Sequence, residues 1–213
     1  MHIQRKKTLV AVSFLAVVLS SGAAFAQMEP SIPTLSQAQV NQLNAGEVII
    51  DVVPGEVPIG DAIGVINATP EQVMQIVQDF ESYPEFMNDI VHAEVQGTEG
   101  DYLLCHGITD TPWPMDDREW VIRATGGPTT VDGLDVYLST WDYVPGSGNV
   151  EDTTGYWLAI PWGSDGSQTL LRYRLRVDLG TWLPDFLLNW ATENFLPNKI
   201  TDFRGRVATL YGQ

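Results

Sequence analysis

Cys105 and His106 stand side by side in a 213-residue chain, and together they could suggest a thiol and its base. They fall in a strand-like segment, where neighbours point to opposite faces, so they cannot form a dyad by themselves. His92 and His106 read as isolated, and His2 sits near the chain start. There is no H-E-x-x-H, C-x-x-C or P-loop, and no G-x-S-x-G elbow. One cysteine excludes an intrachain disulfide and a cysteine-based zinc cage. No catalytic residue, metal or cofactor is expected. The many Asp and Glu residues could supply a carboxylate pair, but no spacing singles one out. A general acid–base enzyme would need only one or two polar residues in a pocket.

Arg118 is the charged residue with the sharpest context. Alternation places Arg118, Trp120 and Ile122 on one strand face and Glu119, Val121 and Arg123 on the other. The face bearing Trp120 and Ile122 suits an interior. A guanidinium there needs an acidic partner or a polar ligand group, because an uncompensated buried charge costs several kcal/mol. Arg118 therefore either orients a ligand hydroxyl or carboxylate, or belongs to an internal ion pair. Arg172, Arg174 and Arg176 alternate with Tyr173, Leu175 and Val177. The apolar triplet should face inward and the arginines should form a solvated stripe outside, balanced by carboxylates.

These residues need elements to hold them. Ser36 can cap a short helix through Asn44, after a flexible lead-in at 27–35. Val48 to Val53 and Ile59 to Ala68 suggest a hairpin around Pro54-Gly55. Thr69-Pro70-Glu71-Gln72 is a capping box, and Val73, Met74, Ile76, Val77 and Phe80 fall on one helical face. Six strands follow, at Ile90–Gln96, Tyr102–Thr109, Glu119–Ala124, Asp135–Val144, Tyr156–Ile160 and Thr169–Val177, with turns that include Gly126-Gly127-Pro128. Consecutive strands without helices between them imply antiparallel pairing. Pro184 opens a final helix, which Pro197 should bend, with Ile200, Phe203, Val207 and Leu210 on its inner face. Leu187, Trp190, Ala191 and Asn194 share one side of it at 3.6 periodicity. A curved sheet closing over that helix would leave a cavity suited to an apolar ligand.

Composition narrows the partners. Eleven Lys and Arg against 27 Asp and Glu give a net charge of −16. That excludes nucleic acid, whose affinity comes from cations on phosphates, and polybasic docking on anionic lipid. Arg5, Lys6 and Lys7 precede an apolar run from Leu9 to Leu19, and Ala24-Phe25-Ala26 precedes Gln27. This is the pattern of a secretory signal peptide cut after Ala26. Its removal takes away three basic residues and no acidic one, leaving 8 against 27 and a net charge of −19. A periplasmic or secreted monomer is expected. Residues 1–26 are the signal, 27–46 a lead-in and short helix, and 47–213 the main domain. Seven tryptophans leave some for the core and some for a rim that could make transient membrane contact.

Two segments carry a family resemblance. Pro112-Trp113-Pro114-Met115-Asp116-Asp117-Arg118-Glu119-Trp120-Val121 resembles the stretch of START (StAR-related lipid-transfer) domains in which Pro-aromatic-Pro leads into an Arg-acid-aromatic strand. Asp178-Leu179-Gly180-Thr181-Trp182-Leu183-Pro184, with Phe186-Leu187-Leu188-Asn189-Trp190-Ala191 and Asn194 after it, resembles the same family's approach to its last helix. Ala68 to Glu85 is similar, more weakly, to the wider helix-grip (SRPBCC) superfamily, which includes polyketide cyclases. The resemblance implies an α+β helix-grip fold, a curved antiparallel sheet wrapped around a long C-terminal helix with an internal cavity. It implies non-enzymatic binding and transfer of a lipid-like molecule, with a cyclase or dehydratase on the same fold as the alternative, and an envelope protein with a filled-in cavity as a third reading. The expected ligand contacts are Arg118, Trp120, Ile122, Tyr173, Leu175, Leu187, Trp190, Ala191 and Asn194. Two departures stand out. Glu81 to Asp89 lacks the arginine with which the family's phosphatidylcholine binders hold phosphate, which favours a sterol, hopanoid or other neutral lipid. Thr181 stands where glycine is usual.

Overall fold

The computed structural model describes residues 28–180 and 184–212. The expected signal segment at 1–26 lies outside the described residues, as do Thr181, Trp182 and Leu183 of the second family motif. Helix α1 spans Gln37–Asn44, and its Ser36 cap forms the reciprocal pair with Gln39. Strands β1 (Ile49–Val53) and β2 (Ile59–Ile66) make the first hairpin. Helix α2 (Pro70–Gln78) follows, with the Thr69–Gln72 capping box formed and Pro70 in the first turn, where its missing N–H costs nothing. A 3-10 turn at Phe80–Ser82 and the short helix α3 (Tyr83–Phe86) lead into the strands.

The six remaining strands are β3 (Ile90–Glu99), β4 (Tyr102–Thr109), β5 (Arg118–Val131), β6 (Leu134–Tyr143), β7 (Asp152–Trp162) and β8 (Gln168–Asp178). All eight form one antiparallel sheet in the order β1-β2-β8-β7-β6-β5-β4-β3. This is the expected helix-grip architecture.

One turn is misplaced in the sequence reading. Gly126-Gly127-Pro128 does not end β5, which runs on to Val131. The chain reverses instead at Asp132-Gly133, where both residues have positive φ, at 50° and 81°. That pair matches the twist of a tight hairpin. Pro128 is tolerated because β4 stops pairing at Ala124, so the far half of β5 bonds only to β6.

The last helix comes in three pieces: α4 (Asp185–Trp190), a π turn (Ala191–Phe195) and α5 (Leu196–Tyr211). Pro197 lies in the first turn of α5, and the π turn ahead of it absorbs the break. Leu196, Ile200, Phe203 and Val207 are buried, each worth about 1.5–3 kcal/mol. Leu210, expected on the same face, is exposed, because the inward position four residues after Val207 is Tyr211, which packs against the core. Helix and sheet meet most closely at β2. A Cβ at Gly60 would lie 2.9 Å from Leu196, and one at Gly64 would lie 2.4 Å from Ile200. Two missing side chains thus let α5 press onto one side of the sheet.

The outer face differs from expectation. The lead-in is not free: Ile32 and Leu35 pack with Leu43 over Ile63, Leu158 and Leu170. Ile32 also donates its backbone N–H to Asp132 at 2.8 Å. Arg172 and Arg174 lie beneath this layer, only 8 % exposed, and do not form a solvated stripe. Both pair with buried Asp61, and Arg172 donates to the Ser31 carbonyl at 2.7 Å. Arg176 pairs with Asp152 nearer the surface. The alternation was read correctly, but residues far away in sequence cover that face.

Candidate functional site

Away from β2 the sheet curves off the helix and encloses a cavity of about 480 Å³. Its wall is built by period two. Leu103 and Cys105 of β4, Arg118, Trp120, Ile122 and Ala124 of β5, Trp141 of β6, Trp157 of β7, and Tyr173, Leu175 and Val177 of β8 all point inward. Leu187, Trp190, Ala191, Phe195 and Leu196 close it from the helix side. The volume falls in the range of ordinary small-molecule sites, roughly 300–1,000 Å³.

Eight of the nine expected contact residues line this cavity: Arg118, Trp120, Ile122, Tyr173, Leu175, Leu187, Trp190 and Ala191. Asn194 does not, and its side chain is exposed. The π turn is the reason. An i→i+5 turn inserts one residue relative to 3.6 periodicity, so the inward position after Ala191 passes to Phe195. Phe195 and Lys199 are cavity residues that periodicity missed.

Aromatic packing fixes much of the lining. Tyr173 packs on Trp157 with ring centroids 4.3 Å apart, and Trp157 on Phe203 at 4.8 Å. Trp120 donates its indole N–H to Thr109 at 3.0 Å. Gly107 leaves room for that indole, since a Cβ there would lie 2.5 Å from the ring.

The polar content is small and specific. Lys199 donates from Nζ to both oxygens of buried Asp89, at 2.7 and 2.6 Å, and its ammonium lies 4.4 Å from the Phe195 ring centre. Arg118 has no such partner: its Nε is buried without a hydrogen bond among the described residues. Burial, then the charge of Glu81, pushes the Cys105 thiol up to about 11. Burial raises the Tyr83 and Tyr173 hydroxyls as well, so both stay neutral. Tyr83 donates to the Val77 carbonyl at 2.6 Å. Cys105 and His106 do face opposite ways, the thiol into the cavity and the imidazole outward. A second hollow of about 710 Å³, lined by Asn44, Asn67, Gln168 and Arg204 among others, is markedly more polar.

His92 and His106 are not isolated. The β3–β4 register brings their rings to 5.1 Å on the outer face, with Glu94 of β3 in contact with both. Strand alternation hinted at the His92–Glu94 pairing, but the two irregularities in β3 hid the register that adds His106.

Comparison with known proteins places the chain. Residues 66–204 match the family described as polyketide cyclase / dehydrase and lipid transport. No curated protein matches the sequence at a significant level. Among solved structures, the STAR-related lipid transfer protein from Xanthomonas axonopodis superposes with a TM-score of 0.61 at 15 % identity, covering 83 % of this chain and 97 % of that one. Human StAR-related lipid transfer protein 5 gives 0.57 at 12 % identity, covering 82 % and 92 %. The Zhui aromatase/cyclase from Streptomyces gives 0.53 at 14 % identity, covering 77 % and 98 %. At these identities the likeness is one of fold: the helix-grip arrangement shared by START proteins. With the matched region running from the last residue of β2 into α5, the chain belongs to the polyketide cyclase / dehydrase and lipid transport family.

Proposed function

We propose that this protein binds one apolar, lipid-like molecule without chemically changing it, and carries it between membranes of the cell envelope. The carrying observation is the cavity of about 480 Å³, walled by Trp, Tyr, Phe, Leu and Ile side chains and containing few polar groups. Burying an apolar ligand there is favourable by about 25 cal/mol per Å² removed from water. Arg118 supplies a polar anchor for a hydroxyl or carboxylate at one end of the ligand. Its orphaned Nε supports that role, because no internal carboxylate is bonded to it among the described residues. A sterol, hopanoid or fatty molecule with one polar end suits this lining. A phosphate headgroup suits it less, since 81–89 carries no basic residue.

Membrane contact and export belong to the same reading. Thr111 and Leu188 line the cavity, and near them in sequence Trp113 is 89 % exposed and Phe186 is 41 % exposed. Such side chains suit a bilayer interface. Among the described residues no helix is long and apolar enough to cross a membrane. The leader-like segment at 1–26 would deliver the protein to the periplasm or beyond, and the mature N-terminus should be Gln27.

The test is native mass spectrometry of the purified protein with lipid extraction. One apolar molecule per chain is expected, and Arg118→Met should weaken its retention. Failure to recover or load any apolar ligand would overturn the proposal. The second reading, a cyclase-type enzyme, is favoured by the family description and by the aromatase/cyclase likeness. It requires a cavity group that exchanges protons with the ligand. Recovery of a chemically altered ligand after incubation would favour it.

A further inference from the structure

The outer face of the sheet carries a cluster that the cavity does not use. His92 and Glu94 are two apart on the edge strand β3 and so share a face. His106 lies directly across from Glu94 on β4, and Glu119 reaches it from β5. His106 Nδ1 is 3.3 Å from Glu94 Oε1, His106 Nε2 is 3.0 Å from Glu119 Oε1, and His92 Nε2 is 3.8 Å from Glu94 Oε2. One donor atom from each of His92, Glu94 and His106 lies within 4.8 Å of the others.

A neutral imidazole has one N–H and one lone pair. Both nitrogens of His106 face carboxylate oxygens, so in the neutral ring one contact sets a lone pair against an anion. A metal ion at that lone pair would relieve the contact. Glu119 accepting from Nε2–H would leave the Nδ1 lone pair aimed at the space shared with Glu94 and His92. A carboxylate holding one ring nitrogen while the other binds metal is the usual support for a metal-bound histidine. Glu94 is held in place to act as a ligand: Gln96 donates to its Oε1 at 3.0 Å, and its Oε2 lies toward His92.

We propose that His92, Glu94 and His106 form a surface site for a divalent transition-metal ion, positioned by Glu119. Two imidazoles and one carboxylate are a donor set for zinc or its first-row neighbours, not for magnesium or calcium. Zinc bonds of about 2.0–2.2 Å require the three ligand atoms to draw closer than they stand, which swings of the exposed His92 and Glu94 side chains allow. Three protein ligands leave a fourth position open to water or to a group from a partner. The strongly acidic chain favours arrival of a cation.

The experiment is zinc titration of the full chain without a polyhistidine tag, by calorimetry, with imidazole NMR signals followed in parallel. One zinc per chain should bind, and the His92 and His106 resonances should move together. His92→Ala and His106→Ala should each weaken binding at least tenfold. Glu119→Gln, which removes no ligand, should weaken it by about tenfold, while Glu71→Gln on α2 should not change it. Glu71 and Glu119 are exposed and His92 is partly so, while His106 is only 15 % exposed, and circular dichroism checks the fold of each variant. Lack of saturable zinc binding would overturn the proposal. Stoichiometric binding that leaves the His92 and His106 signals unmoved would overturn it equally.

Discussion

Lys199 and Asp89 form a nearly sealed ion pair that ties the last helix to the start of β3, with Lys199 only 2 % exposed. The bond spans 110 residues of sequence and sits at the cavity wall. Removing one partner leaves the other charge buried. Lys199→Met should therefore destabilise the fold by about 3–5 kcal/mol. Lys199→Met combined with Asp89→Leu should recover a large part of that loss. Urea denaturation of the two variants measures both, and equal stability of Lys199→Met and the parent would contradict the account.

Filling the cavity should abolish ligand uptake without unfolding the protein. Ala124 lines the wall on β5 beside open volume. Ala124→Trp should retain the native circular dichroism spectrum and lose co-purified or reloaded apolar ligand. Full ligand occupancy in this variant would show that binding takes place elsewhere.

The π turn sets which residues of the last helix face inward. Deleting Thr192 removes the extra residue that the π turn accommodates, so regular α geometry should be restored across 185–211 with Leu187 and Trp190 still facing the cavity and Ile200 and Phe203 still packed. Helix content and apolar ligand affinity should both stay close to the parent's, as read by circular dichroism and by displacement of a fluorescent fatty probe. A tenfold loss of affinity would contradict this account.

Cys105 reports on the cavity by its pH behaviour. Its thiol rises from an ordinary 9.0 to about 11 in the fold. The folded state thus favours the protonated form. Its contribution to stability is complete below pH 9 and is lost as pH climbs from 9 through 11. Alkylation by iodoacetamide should be slow at pH 8, accelerate toward pH 11, and slow again when apolar ligand is bound. Rapid alkylation at pH 8 would show a thiol open to solvent.

Gly155 lies where no side chain fits. A Cβ there would stand 2.2 Å from the Trp141 ring and 2.4 Å from the Arg174 carbonyl oxygen. One of these neighbours is rigid backbone and the other is a wedged indole. Gly155→Ala should cost at least about 1–3 kcal/mol, measured as a lowered denaturation midpoint.

Much of this protein was legible in its residues. Capping chemistry is local, so the Ser36–Gln39 and Thr69–Gln72 boxes marked helix starts that the structure shows. Alternation is also local, so it puts Arg118, Trp120 and Ile122 on one face, and Tyr173 and Leu175 on another inward face, and all five line the cavity. The family motifs announced the helix-grip arrangement because they mark the joints between elements.

What tertiary structure alone decided depends on partners distant in sequence or on a break in a repeat. Nothing local to Arg172 and Arg174 says that Asp61 and the lead-in will bury them. Periodicity placed Asn194 inside, and a single π turn moved it out and brought Phe195 in. Lys199 meets Asp89, and His106 meets Glu94, only after the sheet has chosen its register, because side-chain chemistry acts over a few ångströms while those residues are many positions apart along the chain.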